Sequence, residues 1–270
     1  MITASIVVYS EIKNFNIEDF KNITLKECIK DLAMNSLIHE ILILDNSPKS
    51  LFSWVTRIAS KVIYKHMNGI NLGYGNAHNL SRKLLDFGKY HIILNPDIKF
   101  VDFELIDKLF NFMEINNDIS MIQPLIVSYP NNEIQKLCKR NPTLFAQIIR
   151  GFFLPFISKL FFLKQYDDWY VMNKLAYKKR IVDSQYLSGC FMFCRVDSLD
   201  KVDWFDQSFF MYLEDADLTR KLSSIGRCIH YPYLRVGHLW ARGSHKYLRL
   251  KLIAIKSFFI YAKKWGLRIF

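Results

Sequence analysis

Runs of apolar residues and mixed polar segments alternate along the first half of the chain. The apolar runs are short and rich in β-branched residues, which is typical of buried parallel strands. The segments between them combine apolar and polar positions as amphipathic helices do. This pattern predicts strands at residues 3–9, 40–47, 61–67, 90–97 and 119–127, and helices at about residues 17–35, 76–88 and 103–116.

This alternation predicts an α/β fold with a Rossmann-like, mostly parallel central sheet flanked by helices. Ligands of such sheets bind beyond the carboxyl ends of the strands. Polar residues follow the predicted strands at Tyr9 and Ser10, at Asp45 to Ser47, at Asn71, and at Asn95 and Asp97. We therefore expect a ligand site at this edge of the sheet.

The pattern changes after residue 128. Residues 129–183 break the strand-helix rhythm, and residues 143–163 are aromatic, apolar and lightly basic. Strands are predicted again at residues 186–197 and 228–240, and the tail from about residue 244 reads as a long basic amphipathic helix. We expect one domain over residues 1–245, made of a first half (1–128), an aromatic helical insertion (129–183) and a second half (184–245), followed by the helix at 246–270.

Charge is unevenly distributed along the chain. The net charge is +12, and no acidic residue follows Asp217, so the twelve basic residues of 218–270 account for the whole excess. Such a block favours an anionic partner: nucleic acid, a phosphate-rich ligand or an acidic membrane surface. In a helix, residues 248, 252, 255 and 259 form an apolar stripe beside Arg249, Lys256 and Lys263. The stripe fits either a membrane surface or packing on the core with a solvated basic face.

Composition narrows the class of protein. With 51% hydrophobic and 15% aromatic residues the chain can bury a large core, which excludes a disordered protein. We expect neither a signal peptide nor a membrane-spanning segment. The five cysteines are scattered and complete no zinc set, so we expect reduced cysteines in a cytoplasmic protein.

Oxygen-bearing side chains stand at one predicted strand end. Asn95 and Asp97 are two residues apart, so on an extended chain they point the same way and suit a hard divalent cation. A turn that merely ends the strand explains them equally well. Asp45 to Ser47 can likewise cap a helix or reach a ligand. A lone His238 is more often structural, and the loop carrying Arg242 has the donors to hold a diphosphate.

Three acids, Glu214, Asp215 and Asp217, lie within four positions after an apolar run. On a helix that starts near Glu214, Asp217 shares the face of Glu214, and Asp215 points elsewhere. We predict that Arg220 and Lys221 pair with Asp217. Acids in a first helical turn also meet the positive end of the helix dipole, so capping of the helix is one explanation of all three.

Seven segments of the sequence, read together, resemble a known family. They are "SIVVYS", "ILDNS", "NLGYGNAHN", "ILNPD", "YLSGCFMFCRVD", "FDQSFFMYLEDADLTRKL" and "VGHLWARGS", and they cover about residues 1–245. In this order they resemble GT-A fold, family-2 glycosyltransferases, closest to the bacterial rhamnosyltransferase-like branch that builds surface polysaccharide.

The resemblance implies a role for individual residues. Asp215 is the expected catalytic base. Asn95 stands at the position of the first acid of the family's metal-binding motif, which leaves Asp97 as the main charged ligand of Mg²⁺ or Mn²⁺, completed by His238. The resemblance makes residues 1–128 the nucleotide-sugar-binding half and residues 184–245 the acceptor or catalytic half. The acceptor substrate is expected to bind at Gly189, Glu214 and Trp240. The donor is expected at Tyr9, Asp45, Asn71, Gly73, Asn79, Asn95, Asp97 and Arg242.

The resemblance also implies a reaction. An inverting transfer of L-rhamnose from dTDP-L-rhamnose is the first expectation, and UDP-galactose, UDP-glucose or a UDP-N-acetylhexosamine is the alternative donor. The expected acceptor is a glycan or a polyprenyl-diphosphate-linked oligosaccharide, on the cytoplasmic face of the inner membrane, where the basic C-terminus meets an anionic surface. A nucleic-acid-binding module explains the charge but not the acids at strand ends, and we expect no nucleic-acid partner. A nucleotidyltransferase or an inactive scaffold of the same fold are further alternatives.

Overall fold

The computed structural model of the protein describes residues 1–11, 13, 15–152, 160–239 and 248–270. Over these residues the chain forms one twisted sheet with helices on both faces. The strands are β1 (Ile2–Val8), β2 (Ile38–Asp45), β3 (Val62–His66), β4 (Tyr90–Leu94), β5 (Ile98–Phe100), β6 (Ile119–Ser128), β7 (Val182–Asp183), β8 (Phe191–Arg195) and β9 (Arg227–His238).

The helices follow the strands in chain order. They are α1 (Phe20–Met34), α2 (Tyr74–Asn79), α3 (Ser81–Leu84), α4 (Leu105–Ile115), α5 (Leu144–Phe152), α6 (Phe161–Tyr170), α7 (Asn173–Ala176), α8 (Val196–Lys201), α9 (Glu214–Leu222) and α10 (Leu248–Trp265). A short 3-10 helix covers Ser53–Arg57.

The strand order is β3-β2-β1-β4-β8-β6-β9-β5, and β7 pairs with β9. Strands β1 to β4 are mutually parallel, and β6 and β9 are parallel to each other. Only β8, β5 and β7 pair antiparallel with their neighbours in the described sheet. The predicted fold class, a mostly parallel sheet, is confirmed.

Alternate side chains of the strands face two cores. Ile6 of β1 packs in the large cluster with α1 and α4, whereas Val7 packs with Ala77 of α2 on the other face. Trp204 and Leu218 of the second half cover the same sheet beyond β4. Burial on both faces explains why these strands are continuously apolar.

Two sequence predictions of secondary structure are wrong in detail. The helix predicted at residues 76–88 starts earlier and is broken at Leu80 into α2 and α3, which ends at Leu84. The strand predicted at 186–197 is only Phe191–Arg195, because the chain turns into α8 at Val196. Residues 129–183 contain α5, α6 and α7, and their separation as an insertion, like the other domain boundaries, stays a prediction.

The C-terminal helix α10 packs on the core through a face that was not the predicted stripe. Phe258 and Tyr261 are buried against Phe209 and Leu213. The predicted stripe stays exposed, with 75% of Leu248, 59% of Leu252, 42% of Ile255 and 64% of Phe259 accessible. The helix therefore has one face on the core and a second apolar face directed outwards.

Candidate active site

Sheet register brings together three of the predicted residues, which we call the strand-end cluster: Asn95, Asp97 and His238. Asn95 follows β4 directly, and Asp97 precedes β5. Because β5 runs antiparallel to β9 with Ile98 opposite His238, the last residue of β9 lies beside the β4–β5 turn. The backbone N–H of Leu239 donates to the Asp97 carbonyl at 3.1 Å and fixes this meeting.

Within the strand-end cluster, His238 Nε2 lies 3.3 Å from Asn95 Nδ2 and 3.3 Å from Asp97 Oδ1. Gln135 sets the tautomer of this histidine. Its Nε2 donates to the His238 carbonyl at 2.9 Å, so its Oε1 faces His238 Nδ1 at 2.9 Å and accepts the Nδ1 proton. The Nε2 lone pair is therefore directed at Asn95 and Asp97.

These residues fit a hard divalent cation. Asp97 Oδ1 and an unprotonated His238 Nε2 are both acceptors, and their separation of 3.3 Å is close to the roughly 3 Å between neighbouring ligands of an octahedral ion bound at about 2.1 Å. Burial opposes ionisation of Asp97, but a proton on His238 Nε2, through its hydrogen bond and its charge, lowers the pKa of that carboxyl overall, and a bound cation would take the place of this proton. In the described ranges no three His, Cys, Asp or Glu side chains form a metal cluster, so diphosphate oxygens and water would complete the shell.

The acids after the apolar run form a second group, the helix cluster: Glu214, Asp215 and Asp217. A left-handed turn at Tyr212 (φ 71°) and Leu213 (φ 64°) precedes α9. It starts the helix so that Asp215 faces the start of β8. There Asp215 Oδ2 accepts the Gly189 N–H at 2.9 Å, and Oδ1 accepts the Ala216 N–H at 2.9 Å. Two N–H donors hold the carboxylate in one orientation.

Glu214 and Asp217, the neighbours of Asp215 in the helix cluster, are both buried in the protein. Asp217 accepts Trp265 Nε1 at 2.6 Å and Lys264 Nζ at 2.9 Å, both from α10. The predicted pairing with Arg220 and Lys221 is wrong, since Lys221 donates to the backbone carbonyls of Val202 and Trp204 instead. Arg220 donates to Tyr261 and lies over the Trp265 ring.

Glu214 is buried like Asp217 but is less completely hydrogen-bonded. It is 5% exposed, and its Oε2 has no partner among the described residues. Burial and the neighbouring charge of Asp215 raise its pKa well above the usual value of 4.5. A buried carboxyl with a raised pKa is suited to support the turn at the start of α9. The predicted contact of Glu214 with the acceptor substrate stays a prediction.

The strand-end and helix clusters meet at the residues before β8. The Asn95 N–H donates to the Cys190 carbonyl at 3.0 Å, and Gly189, the residue before Cys190, donates its N–H to Asp215. Burial, followed by the charges of Asp97 and Asp215, raises the pKa of the Cys190 thiol to about 12, although Ser188 and Lys139 oppose the shift. Tyr74 donates its hydroxyl to the Gly189 carbonyl at 2.5 Å. Two adjacent residues of one segment therefore contact both clusters.

The predicted donor residues occupy the edge formed by β1, β2 and α2. Asp45 is buried and accepts Tyr64 Oη at 2.7 Å and the Ser47 N–H at 2.9 Å, so it orders its own loop. Tyr9 is 48% exposed beyond β1. The contacts of Asp45 and Tyr9 with the nucleotide-sugar donor stay predictions.

The glycine-containing loop is tied to the second half of the chain. Asn71 Oδ1 accepts the Gly73 N–H at 2.9 Å, and a Cβ at Gly73 (φ 82°) would collide with the Phe210 carbonyl. Both amide atoms of Asn79 bind the Phe205 backbone, at 2.8 Å and 3.0 Å. This loop therefore positions the segment before α9, and its predicted donor contacts remain untested.

Of the predicted acceptor residues, Gly189 lies at the site and binds Asp215. A Cβ there would lie 3.1 Å from the Tyr74 ring, which explains why a glycine fits. Trp240 and Arg242 lie outside the described residues.

Sequence reasoning missed Gln135, Lys139 and Tyr186. Gln135 and Lys139 lie in the region that breaks the strand-helix rhythm, where no local pattern marks them, whereas Tyr186 opens the segment "YLSGCFMFCRVD" but received no role of its own. Lys139 Nζ lies 3.7 Å from the centre of the Tyr186 ring. Burial lowers the pKa of Lys139 to about 8, and the charge of Asp215 opposes this shift.

Comparison with known proteins gives matches over nearly the whole chain. No family model matches the sequence. The Escherichia coli K12 rhamnosyltransferase WbbL is 24% identical over 274 residues, which is 97% of this chain and 90% of that protein. The N-acetylglucosaminyl-diphospho-decaprenol L-rhamnosyltransferase of Mycobacterium tuberculosis is 28% identical over 63% of this chain, which spans 56% of the mycobacterial protein.

Solved structures extend the comparison to the fold. The mannosyltransferase PcManGT of Pyrobaculum calidifontis, in complex with GDP-Man and Mn²⁺, matches with a TM-score of 0.61 at 12% identity over 99% of this chain and 65% of that chain. GalNAc-T7 with UDP, GalNAc and Mn²⁺ matches with a TM-score of 0.60 at 16% identity over 88% of this chain, which covers 43% of GalNAc-T7. These matches confirm the predicted resemblance, fold class and enzyme class: the chain has the GT-A fold and is similar along nearly its whole length to a bacterial rhamnosyltransferase.

Proposed function

We propose that the protein transfers L-rhamnose from dTDP-L-rhamnose, with inversion, to a hydroxyl of a polyprenyl-diphosphate-linked saccharide during bacterial surface polysaccharide synthesis. The similarity to the Escherichia coli rhamnosyltransferase over 97% of the chain carries this proposal. The name of the mycobacterial relative, which contains a diphospho-decaprenol-linked sugar, supports the class of acceptor.

Asp215 is the proposed catalytic base. An inverting transfer is an in-line displacement, in which the acceptor oxygen bonds to the anomeric carbon as the bond to the diphosphate breaks. The acceptor proton passes to a carboxylate, and the nucleoside diphosphate leaves without a proton, so a single base suffices. The N–H groups of Gly189 and Ala216 orient Asp215 for this task.

The strand-end cluster is the proposed site of the donor diphosphate. Asp97 and His238 would hold Mg²⁺ or Mn²⁺, which when bound offsets the charge that develops on the departing diphosphate. Both similar solved structures are complexes with Mn²⁺, which supports a divalent cation. Gln135 keeps the His238 lone pair directed at this position.

The outward face of α10 is the proposed contact with an anionic bilayer. No helix in the described part of the chain has the length and apolarity to cross a membrane. Leu248 and Leu252 are exposed beside basic residues of α10, as in helices that lie on a membrane surface. Exposed Phe161 and Phe162 at the start of α6 are a second apolar group of the same kind. A position at the cytoplasmic face of the inner membrane is part of this proposal, and the exposed apolar groups support the contact with a bilayer.

A panel of donors tests the reaction. The purified protein is incubated with N-acetylglucosaminyl diphosphate linked to a polyprenyl chain and with dTDP-L-rhamnose, UDP-galactose, UDP-glucose or UDP-N-acetylglucosamine, and nucleotide release is measured with and without Mn²⁺ or Mg²⁺. We expect the highest kcat/KM with dTDP-L-rhamnose. A higher value with a UDP-sugar would replace the donor by the alternative, and hydrolysis without a glycosylated product would contradict transfer to this acceptor.

Flotation with anionic vesicles tests the membrane contact. Removing α10 is a poor test, since α10 supplies Lys264 and Trp265 to Asp217. Replacing Leu248 and Leu252 by Ser changes only exposed positions and should release the protein from vesicles of phosphatidylglycerol at low salt. Ile115→Ser, at another site that is 80% exposed, is the matched control. Wild-type protein that stays unbound would contradict the contact.

A further inference from the structure

An apolar groove opens next to the helix cluster. It lies between α5 and α10, has a volume of about 380 Å³, and ends at Leu213 and Tyr186. Its volume falls within the roughly 300–1,000 Å³ of small-molecule sites. Leu213 is the residue before Glu214 and caps α9, so the inner end of the groove lies at the start of the catalytic helix.

The walls of the groove are aliphatic and aromatic, and its charged lining is cationic. Leu144 and Ile148 of α5 face Ala254 and Phe258 of α10, and no acidic side chain lines the groove in the described residues. The charged lining residues are Arg150 and Lys251. Asp167 holds the Arg150 guanidinium at 2.5 Å. An apolar ligand with an anionic group complements such a lining.

The inner end of the groove is coupled to the base. Tyr186 lines the groove, and burial, followed by the charge of Asp215 and a hydrogen bond with it, raises the pKa of the Tyr186 hydroxyl well above its usual value. Lys139 Nζ lies 3.7 Å from the centre of the Tyr186 ring, and the charges of Asp215 and Arg150 act on it in opposite directions. Tyr186 therefore connects the groove to the base, with the cation of Lys139 against its ring.

The outer end of the groove reaches the apolar surface of α10. Ile148 is 38% exposed, Ile255 42% and Phe259 64%, and all three also line the groove. The groove is thus continuous with the face of α10 that carries Leu248 and Leu252. A lipid chain has an apolar path from that face to the helix cluster.

We propose that this groove binds the first isoprene units of the acceptor lipid, with Lys139, Arg150 and Lys251 facing its diphosphate and the sugar held at Asp215. This inference rests on the proposed function, since it assigns a binding site to the lipid of the proposed acceptor. The chain then recognises the acceptor by its lipid as well as by its sugar.

Two substitutions fill the groove from opposite walls. A Cβ at Gly151 of α5 meets nothing within 4 Å, so Gly151→Trp directs an indole into open space without backbone strain. Ala254→Trp narrows the groove from α10. Ile115→Trp, which adds the same side chain at an exposed helix end elsewhere, is the matched control, and thermal melting of each variant checks the fold.

The assay compares two acceptors in detergent micelles, so that vesicle binding plays no part. Both carry the same sugar diphosphate, one on a decaprenyl chain and one on a hexyl chain. The measured quantity is kcat/KM with the decaprenyl acceptor divided by kcat/KM with the hexyl acceptor. We expect both groove variants to lower this ratio at least about tenfold, which corresponds to ~1.4 kcal/mol. Burial of about two CH₂ groups contributes a free energy of this size. Ile115→Trp should leave the ratio at the wild-type value.

A binding assay without donor separates this inference from the proposed reaction. A fluorescent polyprenyl phosphate should bind the wild type, lose affinity at least about tenfold in Gly151→Trp, and be displaced by unlabelled polyprenyl phosphate far better than by phosphatidylglycerol. Equal displacement by the phospholipid, or an unchanged acceptor ratio in both groove variants, overturns the groove as an acceptor site. Wild-type protein that binds the probe but transfers no rhamnose contradicts the proposed function instead.

Discussion

The strand-end cluster and the helix cluster are both groups of polar side chains at the edge of one sheet, but they bind different partners. In the strand-end cluster the acceptors Asp97 Oδ1 and His238 Nε2 face one another at 3.3 Å. In the helix cluster two of the three carboxylates have protein donors, N–H groups for Asp215 and the side chains of Lys264 and Trp265 for Asp217, whereas Glu214 Oε2 has none among the described residues.

This difference separates two kinds of chemistry. Acceptors that face one another repel unless a cation or a proton lies between them. A carboxylate held by two N–H donors is oriented and stays available to take a proton from a substrate. The strand-end cluster is therefore suited to hold a charged leaving group through a cation, and the helix cluster to remove a proton.

Asp215→Asn should have the largest effect on catalysis. The amide keeps the shape of the side chain but accepts no proton, so kcat should fall by about 10²–10⁴-fold. The donor KM should change little, because the strand-end cluster is intact. Nucleotide release measured at saturating acceptor gives kcat. Transfer at a rate near that of the wild type would remove Asp215 from the role of base.

Asp97→Ala should damage donor binding rather than proton transfer. Loss of a residue that hydrogen-bonds to a metal ligand lowers metal affinity about 10–100-fold. Loss of Asp97, the charged ligand itself, should therefore lower it at least about 100-fold. The concentration of Mn²⁺ that gives half-maximal donor binding measures this. Asp102→Ala, where the carboxylate pairs with Arg235 near the surface, is the control. Unchanged Mn²⁺ dependence would show that the cluster holds the donor without a cation.

The sequence predicted the members of these clusters more reliably than their partners. Asn95 and Asp97 could be placed because parallel strands present their carboxyl ends at one edge, and the position of a strand follows from its apolar run. His238 could be placed through its resemblance to a family motif. In each case a local pattern was sufficient.

The partners depend on contacts between distant parts of the chain. Helix spacing predicts that Arg220 and Lys221 pair with Asp217. The actual partners of Asp217 are Lys264 and Trp265 of α10, near the end of the chain. Gln135 reaches His238 across 103 positions. Such pairs follow from how α10 and residues 129–143 pack, which no periodicity describes.

Gln135→Leu should sharpen the distinction between the clusters. It removes the acceptor of the His238 Nδ1 proton, so the other tautomer, with its proton on Nε2, competes. Mn²⁺ affinity should fall about 10-fold, at the low end of the range for outer partners, with kcat at saturating Mn²⁺ and donor nearly unchanged. Gln135→Glu keeps an acceptor and should restore most of the affinity. Equal losses in both variants would indicate a purely structural role.

Glu214→Gln tests whether the helix cluster holds a neutral carboxyl. Glu214 has a pKa raised well above 4.5 by burial and by Asp215, so the folded protein keeps a proton that the unfolded chain releases above pH 4.5. The wild type should therefore lose stability as pH rises past 4.5, until the raised pKa is reached, by up to about 1.4 kcal/mol per pH unit. Glutamine carries no such proton and should lack this loss.

Urea unfolding at pH 5, 6 and 7 measures the difference between the two proteins. The free energy of unfolding of Glu214→Gln minus that of the wild type should increase with pH. Glu104→Gln is the control, because the solvent-exposed Glu104 pairs with Lys108 and has a lowered pKa, so its difference should be flat over the same range. A flat difference for Glu214→Gln as well would mean that the folded protein ionises Glu214. Glu214 could then also accept a proton, and Asp215 would be set apart from it only by its two N–H donors.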